Sequence, residues 1–212
     1  MDRLPGVEVG LESLFVANII EGEWTVADRS EAESLVESLF QEEKFVAWGA
    51  GRSRLVGELV AAAPLDTVGV LRVVLACVFD DPDAAWLLKG SRLHLHMEWL
   101  RRNFEGTRFL HIVRDPRAVY ASQRKSMGSD RGLPMAAGPI SLARNWRYVV
   151  GCFDQARRDA DSLEVGYEEL VSDLEGTMSQ VSQFVFGRLV ESGWGAGAAY
   201  LERIPEAQNP FT

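Results

Sequence analysis

The sequence predicts an α/β fold in which a short parallel sheet is flanked by helices. Three short apolar runs support this prediction: residues 84–88, 108–113 and 163–165. Each run is too short for a helix of its own, and each is followed by a segment with a helical pattern. Because strands that alternate with helices are typical of parallel sheets, the three runs are interpreted as strands of one sheet.

Length and composition predict a single domain over residues 1–212. A chain of 212 residues with 47% hydrophobic and 25% charged residues is ordinary for a globular protein. No apolar run approaches the roughly 20 residues that a membrane-spanning helix needs, and the N-terminal residues lack the apolar core of a signal peptide. Cys77 and Cys152 lie in apolar, helical surroundings, which favours free thiols over a disulfide. A cytoplasmic location is therefore expected.

The net charge of −9 argues against general nucleic-acid binding, but the charge is unevenly distributed. Residues 87–131 contain ten Lys or Arg against four Asp or Glu, a formal charge of +6, and the rest of the chain carries −15. A basic centre in an acidic protein is suited to a small polyanionic ligand. The alternative is that these charges are scattered over solvated helix faces.

Apolar periodicity and capping residues predict most of the helices. An apolar stretch over 11–20 is predicted as a short helix. Ser30 and Glu33 have the spacing of a capping box, which predicts a helix over 31–40, and Ser91 is expected to cap a later helix. The remaining elements are predicted as helices over 66–79, 92–103 and 141–159 and a loop over 128–140.

The segment 48–60 allows two interpretations. An apolar lead, the run Gly49-Ala50-Gly51-Arg52-Ser53 and a helical pattern superficially resemble a phosphate-binding loop. No Lys precedes a hydroxyl residue, however, as it does in nucleotide triphosphatases. The second interpretation, which the missing Lys favours, is a structural turn between two helices.

The residues Arg114-Asp115-Pro116-Arg117 follow the predicted strand at 108–113 and begin the next helix. Asp115 can cap that helix, and Pro116 suits its first position, where the missing N–H of proline is not needed. Arg114 then stands at the carboxyl end of the strand, where open α/β sheets bind ligands. Its charged, forked side chain is suited to a phosphate. The alternative is a salt-bridged surface loop.

These residues resemble the 3′-phosphate-binding segment of sulfotransferases that use 3′-phosphoadenosine-5′-phosphosulfate (PAPS). In that family an apolar strand leads into Arg-Asp-Pro-Arg-x-Val, and a Ser follows the first Arg at the spacing of Ser122 from Arg114. The resemblance extends over about 12–186 and is closest to the bacterial and tyrosylprotein-type branch. It implies a P-loop-NTPase-like three-layer sandwich in which Arg114 and Ser122 hold the 3′-phosphate. Tyr167, in a segment similar to the family's Tyr-Glu-Asp-Leu-Val, is implied to approach the adenine.

Three further residues take implied catalytic roles from the same resemblance. Lys89 matches the family lysine that reaches the transferring group, where negative charge builds as the bond to sulfur breaks. Glu12 lies where related members carry the base that takes the acceptor proton, and His96 matches a family histidine. The alternatives are a solvated strand-end lysine for Lys89, a first-turn glutamate favoured by the helix dipole for Glu12, and a packed histidine for His96.

The resemblance also implies the reaction, which is transfer of the sulfuryl group of PAPS to a hydroxyl or amine without a metal. The expected acceptor is a small molecule, sugar, lipid or peptide, and a homodimer is left open. If segment 48–60 is a structural turn, the sequence lacks the family's Arg-Ser-Gly-Thr loop for the 5′-phosphosulfate, and the first strand is expected to be missing. The chain is then either a truncated sulfotransferase or a descendant without the loop. The alternative function is noncatalytic binding of an adenine nucleotide or a protein partner.

Overall fold

A computed structural model describes residues 7–79, 81, 84–125, 138–158 and 160–187. The chain forms two compact units, Met1–Asn103 and Phe104–Thr212. Within the described residues, each unit contains one two-stranded parallel sheet accompanied by helices. The predicted α/β class with short parallel pairing is confirmed, whereas the strands belong to two sheets rather than one. The assignment of a single domain stays a prediction.

In the described residues of each unit, a strand is followed by helices, a second strand and a further helix, and the second unit has one more helix at its end. The first unit contains β1 (Val7–Glu12), α1 (Phe15–Glu21), α2 (Arg29–Phe40), α3 (Glu43–Val46), α4 (Arg52–Ala62), α5 (Thr67–Val78), β2 (Ala85–Lys89), a 3-10 turn (Leu93–Leu95) and α6 (Met97–Asn103). The second unit contains β3 (Phe109–Val113), α7 (Pro116–Lys125), α8 (Pro139–Ala156), β4 (Ser162–Gly166), α9 (Tyr167–Ser172) and α10 (Leu174–Phe186).

Strand β1 corrects the prediction of a helix over 11–20, since α1 begins only at Phe15. The sequence of β1, VEVGLE, alternates apolar residues with polar ones or glycine, which is the period of a strand. The strand pairs in parallel with β2, and its last residue, Glu12, lies opposite Lys89. The two strands therefore end at the same edge of the sheet.

A row of aromatic rings forms the centre of the core of the first unit. Phe15 lies edge-on to Phe45 and to Trp48, with ring centroids 5.2 and 5.4 Å apart. Trp48 contacts Phe79 at 5.4 Å, and Phe79 stacks on Trp86 of β2 at 5.0 Å. Such ring pairs contribute about 0.5–1.5 kcal/mol each beyond the burial of their area. The row therefore ties α1, α3 and the end of α5 to the sheet.

Gly10 of β1 lies directly against this row, and we expect it to tolerate no side chain. A Cβ atom at position 10 would lie 1.9 Å from the Trp48 ring, whereas one at Gly57, in an exposed turn of α4, would meet nothing within 4 Å. Gly10→Ala is expected to lower the free energy of unfolding by about 1–3 kcal/mol through overpacking. Gly57→Ala is expected to raise it by up to about 1 kcal/mol, because alanine is the better helix former. Urea denaturation of both variants checks the opposite signs, and equal effects would contradict the packing.

Helix α2 is capped by Asp28 rather than by Ser30. The Asp28 carboxylate accepts the N–H of Glu31 at 3.0 Å, and the Glu31 carboxylate accepts the N–H of Ala27 at 2.7 Å. This reciprocal pattern is close to that of a capping box, two residues earlier than predicted. The apolar face that α2 buries consists of Ala32, Leu35, Val36 and Leu39.

The helix predicted over 92–103 begins later, so Ser91 is not its cap. Residues Leu93–Leu95 form a 3-10 turn, and α6 begins at Met97. Arg92 and His96, which flank the turn, have φ near −111° and −116° with ψ near 0°, outside the helical region. The helical pattern of this stretch is therefore divided between two short elements.

The segment 48–60 is a turn between two helices, which confirms that interpretation. Helix α3 ends at Val46 and α4 begins at Arg52, with Gly49 at a φ of +81° between them. A phosphate-binding loop follows a strand, but here a helix precedes the glycines. The expected absence of a strand that carries an Arg-Ser-Gly-Thr loop stays a prediction.

In the second unit, β3 and β4 confirm two of the predicted strands and pair in parallel. Phe153 of α8 and Val165 of β4 are buried between the sheet and its helices. Arg108, just before β3, donates to the backbone carbonyls of Phe184 and Val185 at the end of α10. A cation at a helix C-terminus is favoured by the helix dipole and satisfies carbonyls that have no partner within the helix.

Two other predictions concern the helix at 141–159 and the cysteines. The helix is present as α8, whereas most of the predicted loop over 128–140 lies outside the described residues. Cys77 is buried in α5 and Cys152 is half-buried in α8, and both are free thiols, as predicted. Burial raises the pKa of the Cys77 thiol, so this group stays protonated at neutral pH.

Candidate functional site

The carboxyl edge of the β3–β4 sheet carries Arg114 next to Tyr167. Val113 lies opposite Gly166 in the register, at the end of both strands, and Arg114 and Tyr167 are the residues that follow them. The guanidinium carbon of Arg114 lies 4.5 Å from the centroid of the Tyr167 ring, a cation–π distance. The structure therefore brings together two of the three residues predicted to bind the nucleotide.

Arg114 also lines a surface cleft of about 470 Å³ at this edge. Its Nε and Nη2 atoms are buried. The lining residues are Val113, Arg114, Asp115, Pro116, Trp146, Glu164, Gly166 and Glu168. Ser122 is half-buried in α7 and does not line the cleft, so the predicted pairing of Ser122 with Arg114 on one phosphate stays a prediction.

The peptide group that follows Arg114 is held by two side chains from other elements. The indole N–H of Trp146, on α8, donates to the Arg114 carbonyl at 2.9 Å. The N–H of Asp115 donates to the Glu168 carboxylate, on α9, at 3.0 Å. Both groups of this single peptide bond are therefore satisfied by side chains, at the point where the strand becomes a helix.

The acidic residues of the cleft all have partners in the structure. Glu168 accepts the N–H of Asp115, and Glu164 lies 3.1 Å from Nδ1 of His111, its neighbour on β3. Asp115 pairs with Arg117. These carboxylates reduce the positive potential around Arg114, so the cleft is of mixed charge rather than basic.

Asp115 caps α7, as predicted, and is also paired with the exposed side chain of Arg117. The Asp115 carboxylate accepts the Arg117 backbone N–H at 2.7 Å and the Nε–H at 3.0 Å. The hydrogen bonds from Arg117, first from its guanidinium and then from its backbone, lower the pKa of Asp115 from 3.8 to about 2. The charged form of Asp115 is thus stabilised by folding.

The lowered pKa of Asp115 predicts a stability change in acid. A carboxyl group whose pKa is depressed in the folded state stabilises the protein above its unfolded pKa of 3.8, and this effect disappears as pH falls toward about 2. We expect Arg117→Ala to flatten the fall in melting temperature across this window. Arg124→Ala, an exposed change on the same helix, is expected to leave the slope unchanged. Identical slopes for all three proteins would contradict the role of Arg117.

In the first unit, the carboxyl edge of the β1–β2 sheet brings Glu12 and Lys89 together as register partners. The Glu12 carboxylate lies 3.2 Å from the ammonium of Lys44, and both side chains are largely exposed. Lys89 is exposed at the end of β2, and its side chain makes no ion pair with any residue in the described part of the chain. The two predicted catalytic residues therefore share one sheet edge.

The turn after β1 is fixed by Glu42, which lies just before α3. Its Oε1 atom accepts the hydroxyl of Ser13 at 2.9 Å and the N–H of Leu14 at 2.7 Å. The N–H of Ser13 donates to the Lys89 carbonyl at 3.2 Å. This set of bonds holds the chain immediately after Glu12 against the end of β2.

His96 is held by Glu21, at the end of α1, and has no contact with Glu12 or Lys89 among the described residues. Its Nε2 atom lies 3.0 Å from the Glu21 carboxylate, which also pairs with Arg92 at 3.0 Å. The imidazole is 14% exposed. This network links α1 to the turn before α6, and it agrees with the alternative of a packed histidine, while the catalytic role stays a prediction.

Ion pairs involve several arginines of the basic segment. Arg92 pairs with Glu21, Arg101 with Glu98, and Arg117 with Asp115. Three of its positive charges are thus paired with carboxylates in the described part of the chain, and the expectation of a basic centre stays a prediction.

Four residues of these sites were not predicted from the sequence: Trp146, Glu168, Glu42 and Glu21. The position of Glu168, two residues after β4, carried a signal, because residues that follow adjacent parallel strands meet at one edge. Trp146 shows no local signal beyond the apolar pattern of its helix. In residues 7–79, 81, 84–125, 138–158 and 160–187, no group of three or more His, Cys, Asp or Glu could hold a metal ion. No helix in these ranges is long and apolar enough to cross a membrane.

An α/β chain with an arginine and an aromatic ring at the carboxyl edge of parallel strands has the arrangement of a ligand-binding protein. The chain belongs to the sulfotransferase family, because the family model matches residues 5–186. The structure is similar to the sulfotransferase domain from the curacin biosynthetic pathway, with a TM-score of 0.48 and 16% identity over 96% of this chain and 68% of that one. No curated protein matches the sequence.

Proposed function

We propose that this chain transfers the sulfuryl group of PAPS to a hydroxyl or amine acceptor. The observation that carries the proposal is the position of Arg114, which lines a cleft at a carboxyl sheet edge and packs on Tyr167 within a chain of the sulfotransferase family. A fixed guanidinium is suited to the 3′-phosphate, and an aromatic ring is suited to an adenine. The proposed donor site uses these two residues together with Ser122.

In the proposed reaction, an acceptor oxygen or nitrogen attacks sulfur in line as the bond from sulfur to the bridging phosphate oxygen breaks. The electron pair of that bond goes to the leaving 3′,5′-bisphosphoadenosine. Lys89 stabilises the charge that develops on the leaving side, and Glu12 or His96 takes the acceptor proton. The exposed ammonium of Lys89 and its register partner Glu12 at one sheet edge support these roles. The proposed acceptor is a small molecule, sugar, lipid or peptide, and the proposed location is the cytoplasm.

A second candidate is a protein that binds the nucleotide without transferring sulfate. The observation that favours it is the turn at Gly49, which joins two helices and therefore is not a phosphate-binding loop.

The two candidates are separated by one set of measurements on the purified chain. Calorimetry with 3′,5′-bisphosphoadenosine and with 5′-AMP tests the contribution of the 3′-phosphate, and a transfer assay with PAPS tests turnover on a panel of alcohols, sugars and peptides. A sulfotransferase binds the bisphosphate more tightly than AMP and forms sulfated product. Binding without product on any acceptor supports the second candidate, and equal affinity for the two nucleotides contradicts the assignment of a 3′-phosphate site.

A further inference from the structure

We propose that Trp146 and Glu168 are positioning residues for Arg114, acting through the peptide bond between Arg114 and Asp115. This inference deepens the proposed function and rests on it, because it assigns two residues to the nucleotide site that sequence reasoning left out. Neither side chain needs to touch the nucleotide. Their role is to fix the backbone from which the guanidinium of Arg114 enters the cleft.

The geometric basis is that one peptide group is held at both ends. Its carbonyl, on Arg114, accepts the indole N–H of Trp146 at 2.9 Å, and its N–H, on Asp115, donates to Glu168 at 3.0 Å. Rotation of this peptide plane changes ψ of Arg114 and φ of Asp115 together. The two bonds oppose that rotation and tie the turn to α8 and α9, so they hold in place the backbone from which the Arg114 side chain extends.

The first turn of α9 supplies both Glu168 and Tyr167, the ring that contacts the guanidinium of Arg114. Tyr167 and Glu168 are the first two residues of α9, and they follow Gly166, which lies opposite Val113 in the sheet. Just beyond the paired strands, the Tyr167 ring contacts the Arg114 guanidinium, and Glu168 accepts the Asp115 N–H. Helix α9 thus contacts the side chain of Arg114 through Tyr167 and the N–H of Asp115 through Glu168. Trp146 of α8 binds the carbonyl of the same peptide group.

The negative charge of Glu168 disfavours the binding of a phosphate, so its presence in the cleft calls for a compensating contribution. A carboxylate that lines the cleft of a phosphate-binding arginine repels the anion. Its bond to the Asp115 N–H is the compensating contribution, since a hydrogen bond to a charged acceptor is stronger than one to a neutral group. Glutamine at this position keeps an acceptor oxygen for the Asp115 N–H and removes the charge that repels the anion, so it should preserve the positioning role through a weaker bond.

The test compares Glu168→Ala, Glu168→Gln and the matched control Glu169→Ala by calorimetry with 3′,5′-bisphosphoadenosine. Glu169 lies next to Glu168 in the first turn of α9 and carries the same charge, but it accepts no bond from Asp115. We expect Glu168→Ala to weaken binding about fivefold, while Glu168→Gln and Glu169→Ala bind at least as tightly as the unaltered protein. Trp146→Phe, which removes the indole N–H, is expected to resemble Glu168→Ala.

The decisive measurement repeats Glu168→Ala in an Arg114→Ala background. If Glu168 acts through Arg114, its replacement causes no further loss of affinity once the guanidinium is gone. The same loss in both backgrounds overturns the inference, as does a loss in Glu168→Gln equal to that in Glu168→Ala. Melting temperatures of all variants separate these outcomes from a general loss of folding.

Failure of the proposed function gives a different result, namely no binding of the bisphosphate by the unaltered protein. In that case hydrogen exchange tests the inference directly. The Asp115 amide and the Trp146 indole N–H are expected to exchange slowly in the unaltered protein, and Glu168→Ala is expected to speed exchange of the Asp115 amide at least about fivefold. Equal exchange rates in the two proteins overturn the positioning role.

Discussion

Replacing Arg114 by alanine is expected to weaken the binding of 3′,5′-bisphosphoadenosine more than tenfold. The expected loss is about 1.5–3 kcal/mol, the size of a charge-assisted contact to a phosphate. The affinity for 5′-AMP, which lacks the 3′-phosphate, should change much less. Calorimetry with both nucleotides therefore measures the contact itself and not a general change in the cleft.

Arg124→Ala serves as the matched control for this experiment. Arg124 is exposed on α7, the helix that Arg114 precedes, so its replacement removes the same charge without touching the cleft. We expect the control to bind the bisphosphate as the unaltered protein does. If Arg114→Ala and Arg124→Ala have the same affinity, or if AMP and bisphosphate lose equally, Arg114 is not the 3′-phosphate residue.

Replacing Phe15 by alanine is expected to lower the free energy of unfolding by about 3–5 kcal/mol. Phe15 is 1% exposed and is the ring that contacts both Phe45 and Trp48. Its loss leaves a cavity between α1 and α3 and removes two edge-to-face ring contacts. Because α1 follows directly on the turn after Glu12, this core also supports the proposed catalytic edge.

The control for Phe15 is Val46→Ala, in α3 next to Phe45. Val46 is 46% exposed, so its truncation removes little buried area. We expect this change to stay within about 0.5 kcal/mol of the unaltered protein. Urea denaturation followed by tryptophan fluorescence measures both variants, since Trp48 lies in the same row of rings. Similar stabilities for the two variants would show that the row is not the centre of the core.

Part of the candidate site was predictable because its signals are local. Asp115 caps α7 and Pro116 begins it, since a cap needs only a side-chain oxygen within three residues of the N–H groups it satisfies. The position of Arg114 at the end of β3 follows from the length of the strand before it. The strand β1 also has a local signal, which is its alternation of apolar residues with polar ones or glycine. The alternation is short, however, and the apolar run that continues into α1 indicates a helix instead.

The rest of the site depends on residues that lie far apart in the chain. Trp146 is separated by 32 positions from Arg114, and Glu168 by 53 positions from Asp115, yet both bond to one peptide group. Glu21 holds His96 across 75 positions. No periodicity or spacing rule connects such pairs, because their distance is set by how the helices pack on each sheet.

The sequence by itself determined the strand, turn and helix around Arg114, the family to which the chain belongs and the residues placed at the ends of the strands. Only the tertiary structure decided which carboxylates pair with those residues and which side chains fix the arginine turn. The physical reason is the distance along the chain over which each kind of interaction acts. Caps, turn residues and apolar periods act within one or two turns of the backbone, whereas strand register and helix packing bring distant side chains within hydrogen-bonding distance only after the chain has folded.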